Sequence, residues 1–98
     1  MPAYVIVNVE VVDATQYEVY KQMVPSSIEA YGGRYLVRGG PVDVLEGRWS
    51  PRRVVVLEFP DKRSAHAWWN SSEYADAKGI RQATAYTELV VVEGVARS

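Results

Sequence analysis

Residues Ala3 to Val12 read AYVIVNVEVV, an almost strict alternation. In an extended chain Val5, Val7, Val9 and Val11 fall on one side, and Tyr4, Ile6, Asn8 and Glu10 on the other. One face is wholly apolar and the other is mixed. A strand of this kind belongs in a sheet that carries helices on one face only. The remainder of the chain must supply those helices and the neighbouring strands.

It supplies them in a readable order. Asp13 is a helix N-cap, and Gln16 three residues on completes a capping box. Tyr17, Tyr20, Met23, Val24, Ile28 and Tyr31 follow at helical spacing. Pro25 lies inside that pattern and predicts a kink or break near Met23 to Pro25. Gly32 and Gly33 stop the helix. Arg34 to Arg38 alternates polar and apolar residues and predicts a second strand. Gly39-Gly40-Pro41 breaks it, Val42 to Glu46 predicts a further short strand, and Arg48 to Arg52 a loop. Arg53 to Phe59, RVVVLEF, is a Val-rich third long strand ended by Pro60. Asp61 caps a second helix, and Ser71 or Ser72 caps a third helical piece that Gly79 weakens. Ala85 to Gly94 is the last strand.

Strand, helix, strand, strand, helix, strand is the split βαβ, ferredoxin-like plan of the α+β class, with both helical units on one face of a four-stranded antiparallel sheet. The other face then exposes Ile6, Leu36 and Val56 or Leu57. Two copies packed bare face to bare face would cover it, so a homodimer is expected. Eleven aromatics in 98 residues are more than one small domain hides, which points the same way. The length predicts a single domain, residues 1–98. A net charge of −1 without a basic stripe argues against nucleic acid. No cysteine is present, so neither a disulfide framework nor a thiolate site is available. No stretch reads as a signal peptide or membrane span, and a cytoplasmic location is expected.

The combination YGGRYLVRGG, VLEGRW and VVVLEFPDKRSAHAWWNSSEYADAKGIR resembles a family of small bacterial proteins, the domain of unknown function 1330. The resemblance spans essentially the whole chain. It implies a dimeric α+β barrel, a ferredoxin-like subunit paired through its sheets. It implies no established reaction. The wider superfamily includes cofactor-free monooxygenases, muconolactone-isomerase-like enzymes, haem-dependent enzymes and plain ligand-binding modules, and fold alone does not choose among them.

Glu58 draws attention because it interrupts an apolar strand that lies centrally in the expected sheet order 4-1-3-2. It reads either as a general base or ligand anchor, or as one half of an ion pair with Arg38 or Arg53. Arg38, just before two glycines, reads as a fork for a carboxylate or phosphate, or as counter-ion to Glu58 or Glu46. Arg34 reads as a solvated edge charge. Asn8 can orient a substrate oxygen or satisfy a neighbouring polar group. Tyr35 belongs to a tyrosine group with Tyr17, Tyr20 and Tyr31 whose hydroxyls reach the rim of a core. One of the adjacent Trp68 and Trp69 covers a pocket or a partner, with Trp69 the candidate for ligand contact. Trp49 must find cover across a dimer or over a cleft. Arg53 and Arg81 are further candidates for an anion pocket. His66 is the only histidine and sits among charged neighbours, so no metal site and no cofactor is expected. Two functions are compatible with this set. One is a cofactor-free enzyme using Glu58 on a small anionic organic molecule in a pocket of a few hundred cubic ångströms. The other is a non-catalytic module that binds a metabolite or assembles.

Overall fold

In the computed structural model, which describes residues 1–96, the first strand is two-faced as its alternation requires. β1 (Ala3–Val11) buries Ala3, Val5, Val7 and Val9, while Tyr4, Ile6 and Asn8 stay half exposed. It pairs antiparallel with β3 (Arg53–Phe59) on one side and β4 (Ala85–Glu93) on the other. β2 (Arg34–Arg38) adds to the far side of β3, giving the order β2-β3-β1-β4. This is the split βαβ sheet. The helices α1 (Ala14–Ala30), α2 (Lys62–Trp69) and α3 (Ser72–Thr84) connect the strands, and the core lies between helices and sheet.

Each helix begins where the sequence places a cap. Asp13 Oδ1 accepts the Gln16 backbone N–H at 3.1 Å, Asp61 Oδ1 that of Ser64 at 2.7 Å, and Ser71 Oγ that of Tyr74 at 3.1 Å. α1 ends at Tyr31, and Gly32 takes the turn with φ +77°, a conformation costly for any residue with a Cβ. The core joins Val5, Val9, Leu57 and Phe59 of the sheet to Val24, Ile28, Trp68 and Tyr74 of the helices. Trp68 stacks on Tyr74 with ring centroids 4.1 Å apart, and its indole N–H donates to Ser27 Oγ at 3.1 Å. Each such aliphatic side chain stabilises the fold by about 1.5–3 kcal/mol.

Two expectations change. Of the kink or break expected near Met23 to Pro25, the break is absent, and α1 is continuous through Pro25. The Val42 to Glu46 segment is not a strand: residues 39–52 form an irregular arm between β2 and β3. The outer edge of β2 is open, but Val44 and Leu45 find no cover in the subunit, 51% and 96% exposed, so no packing holds the segment against that edge as a strand. The described part of the chain is a slab, 40 × 38 × 17 Å. Helices cover one broad face. The other carries Ile6, Val54, Val56, Tyr86, Val90 and Val92, aligned by strand register. Val56, not Leu57, supplies the third strand's share of it; Leu57 is 2% exposed beneath the helices.

Candidate functional site

Strand parity assigns the candidates to opposite faces of the sheet. On β3, Arg53, Val55, Leu57 and Phe59 point to the helices, and Val54, Val56 and Glu58 to the bare face. On β2, Arg34 stands opposite Glu58. In a regular strand Arg38, four residues on, would share that face. The pairing slips between Tyr35 and Val37, so Leu36 is an extra residue and the alternation inverts. Tyr35 and Arg38 therefore both face the helices. The bulge separates Arg38 from Glu58.

Glu58 accordingly pairs with Arg34 rather than Arg38 or Arg53. Its Oε1 accepts from Arg34 Nε at 2.9 Å and lies 2.8 Å from Nη2. Arg34, read as a solvated edge charge, is thus the fork that holds the carboxylate. Asn8 also points to the bare face, where its Oδ1 accepts the Arg52 backbone N–H at 3.0 Å.

On the helix side, α1 and the sheet enclose a narrow chamber lined by Tyr17, Tyr20, Lys21, Tyr35, Arg38, Arg53, Trp68, Tyr74 and Arg81 over a floor that includes Val7, Val9, Val55 and Leu57. Its volume, about 20 Å³, admits one water-sized group and not the few hundred cubic ångströms expected. The reason is that large side chains fill the space. The lining includes three guanidinium groups and an ammonium but no carboxylate.

Lys21 Nζ pairs with Glu18 Oε1 at 2.9 Å, whereas the guanidinium groups rest on hydroxyls, a carbonyl and aromatic rings. Arg81, 2% exposed, donates through Nε to Tyr74 Oη at 3.1 Å and through Nη1 to Thr87 Oγ1. Trp69 lies behind it, its ring centre 5.7 Å from the guanidinium carbon, and does not line the chamber. Arg53 lies 5.8 Å from the Tyr17 ring centre and packs on Gly39, where a Cβ would collide with Nη1. Its Nε is buried and has no hydrogen-bond partner among the described residues. Such an orphaned donor costs about 1–3 kcal/mol.

Arg38 covers the mouth, its guanidinium 4.5 Å over the Tyr35 ring. Its Nη2 donates to the Lys21 carbonyl at 2.8 Å. That carbonyl is available because of Pro25: four residues further along the helix, where an N–H would close the turn, proline has none. A local defect in α1 thus becomes the anchor of an arginine from β2. Lys21 was not foreseen as a site residue, although its position four before a helical proline is the signal that finds it.

Two tyrosines at this site have their hydroxyl pKa raised. Burial, followed by the neighbouring Tyr74, pushes the Tyr20 hydroxyl far above the ordinary phenol range, and Tyr20 Oη lies 3.3 Å from Tyr74 Oη. Burial also raises Tyr35, with Arg38 opposing it. Among the described residues no group of three histidine, cysteine, aspartate or glutamate side chains could hold a metal ion.

Of the sequence candidates, the structure brings together Tyr35, Arg38, Arg53 and Arg81. It sets Trp69 behind them and leaves Glu58 and Asn8 on the far side of the sheet. No helix is long and apolar enough to cross a membrane among the described residues.

Solved structures share this fold. A protein of unknown function from Rhodopseudomonas palustris superposes with a TM-score of 0.79 at 18% identity, covering 98% of this chain and 84% of that one. A dimeric ferredoxin-like protein of unknown function from Jannaschia sp. CCS1 gives 0.72 at 17% identity, covering 96% and 100%. SnoaB, a cofactor-independent oxygenase from Streptomyces nogalater, gives 0.64 at 11% identity, covering 99% and 94%. At these identities the likeness is one of fold. No curated protein matches the chain. The family model described as Domain of unknown function (DUF1330) matches residues 2–95, nearly the whole length, and the chain belongs to that family.

Proposed function

We propose that this protein binds a small organic anion between its sheet and helices, working as a homodimer joined through the sheet faces. The observation that carries the reading is the buried, unpartnered Nε of Arg53 in a chamber whose lining has three arginines and no carboxylate. An anionic oxygen seated there supplies the missing acceptor and a counter-charge together. The present volume fits the head of such a ligand. Its body extends out through the mouth, where Arg38 is exposed and Lys21 half exposed. Dimerisation is supported by the bare apolar face and by the dimeric description of the Jannaschia protein.

Binding is favoured over proton transfer by Glu58, because that carboxylate pairs with Arg34 on the opposite face of the sheet from the chamber arginines. The cofactor-independent oxygenase of the same fold lends only its architecture. The test is calorimetric titration with a panel of small carboxylic acids and their isosteric amides. Wild type should bind at least one acid and no amide, and Arg53→Gln should bind that acid at least tenfold more weakly. Equal binding of acid and amide, or an unaffected Arg53→Gln, would overturn the reading.

A further inference from the structure

The arm between β2 and β3, residues 39–52, carries large apolar side chains that its own subunit leaves uncovered. Leu45 is 96% exposed, Trp49 62% and Val44 51%. Its direction is fixed at the end where it enters β3. Asn8 lies on the bare face of β1, and its Oδ1 holds the Arg52 backbone N–H. Ser50 and Arg52 there form a groove with Glu10, Tyr86 and Glu88, all on the bare side. The arm therefore joins β3 on the side of the uncovered sheet and not on the side of the helices.

We infer that this arm is a clasp for a second copy of the chain. The segment from Val44 to Trp49 reaches past the edge of its own sheet and packs on the bare sheet of the partner, while the partner's arm does the same in return. Area argues for the arm as well as the sheet. The exposed parts of Leu36, Val37, Tyr86, Val90 and Val92 amount to about 500 Å², short of the roughly 800 Å² per chain that a stable complex buries. The apolar side chains of the arm contribute about as much again, and the two together exceed that threshold. A second copy is the occupant that covers both surfaces at once, because it brings a bare sheet for the arm and an arm for the bare sheet.

The experiment is sedimentation equilibrium of the full chain, without ligand, from nanomolar to micromolar concentration. Leu45→Asp and Trp49→Ser should each raise the dimer dissociation constant at least tenfold, since each removes a buried apolar contact from a two-fold interface twice over. Both side chains are unburied in the subunit, so far-UV circular dichroism should be unchanged and a folding defect is excluded as the cause. Val19→Asp, on the outer face of α1 and 42% exposed, should leave the constant unchanged. If Leu45→Asp and Trp49→Ser dimerise like wild type, the arm does not reach a second copy and the inference fails. It fails equally if wild type is monomeric at micromolar concentration. Neither result depends on whether the chamber takes an anion.

Discussion

Pro25→Ala offers a sharp test of how the fold serves the chamber. Proline in a helix interior costs about 3 kcal/mol relative to alanine, through the lost N–H and the clash with the carbonyl four residues back. Here that carbonyl, on Lys21, takes a substitute bond from Arg38 Nη2 at 2.8 Å. Alanine restores the helical bond and competes for the same oxygen. The helical gain of about 3 kcal/mol is offset by about 1.5 kcal/mol for the weakened guanidinium bond and about 0.5–1 kcal/mol for the freer unfolded chain. A net gain of about 0.5–1 kcal/mol remains, which raises Tm by about 2–8 °C for a domain of this size. The same change releases Arg38. An arginine that must be ordered by the ligand, rather than by the protein, costs about 0.5–1.5 kcal/mol on binding, or roughly two- to tenfold in affinity. The variant should thus be more stable and a poorer binder. Melting followed by circular dichroism and calorimetry with an acid that binds wild type measure the two quantities on one preparation. Higher Tm with unchanged affinity would refute the claim that the missing N–H positions Arg38.

Glu58→Gln should leave affinity for the same acid within about twofold, because the carboxylate and the chamber lie on opposite faces of a packed sheet; a tenfold loss by calorimetry would contradict that placement. Ser71→Ala removes a group that caps α3 through the Tyr74 N–H and donates to the Trp68 carbonyl, and should cost about 1 kcal/mol, a fall in Tm of about 4–8 °C by circular dichroism. The Ser64 backbone N–H holds the Asp61 carboxyl below its ordinary value. Its folded pKa is therefore depressed, so its stabilising effect is present above the unfolded pKa of about 3.9 and is lost as pH falls through the folded value. Melting curves taken from about pH 5 downward should show wild type losing Tm faster than Asp61→Asn.

The features legible in the sequence are those fixed by local chemistry. Asp13, Asp61 and Ser71 announce their helices because a cap is decided within four residues. The valines of β1 announce the covered face because alternation has one physical meaning. The partner expected for Glu58, Arg38 or Arg53, is replaced by Arg34 for a non-local reason. Whether Arg34 or Arg38 meets it depends on the register of β2 against β3, and one extra residue at Leu36 inverts everything beyond it. A bulge without glycine or proline leaves no mark that a single sequence displays. The Val42 to Glu46 pattern misled differently. Its residues suit a strand, but a strand is held by packing as well as by an edge, and the segment's large side chains lie uncovered in the subunit. Pro25 was visible, and its effect was read as damage to the helix. Its use lies in the oxygen it leaves open to another element.

The acid-free lining of the chamber has a consequence for how the protein would sense its surroundings. Arginine keeps its proton at every physiological pH, and the buried hydroxyls of Tyr20 and Tyr35 are pushed to keep theirs. A guest held against these groups would bring an ionisation of its own to the chamber. Uptake would then follow the acidity of the guest, so that plotting occupancy against pH would read out the chemical identity of an unknown ligand before its structure was known.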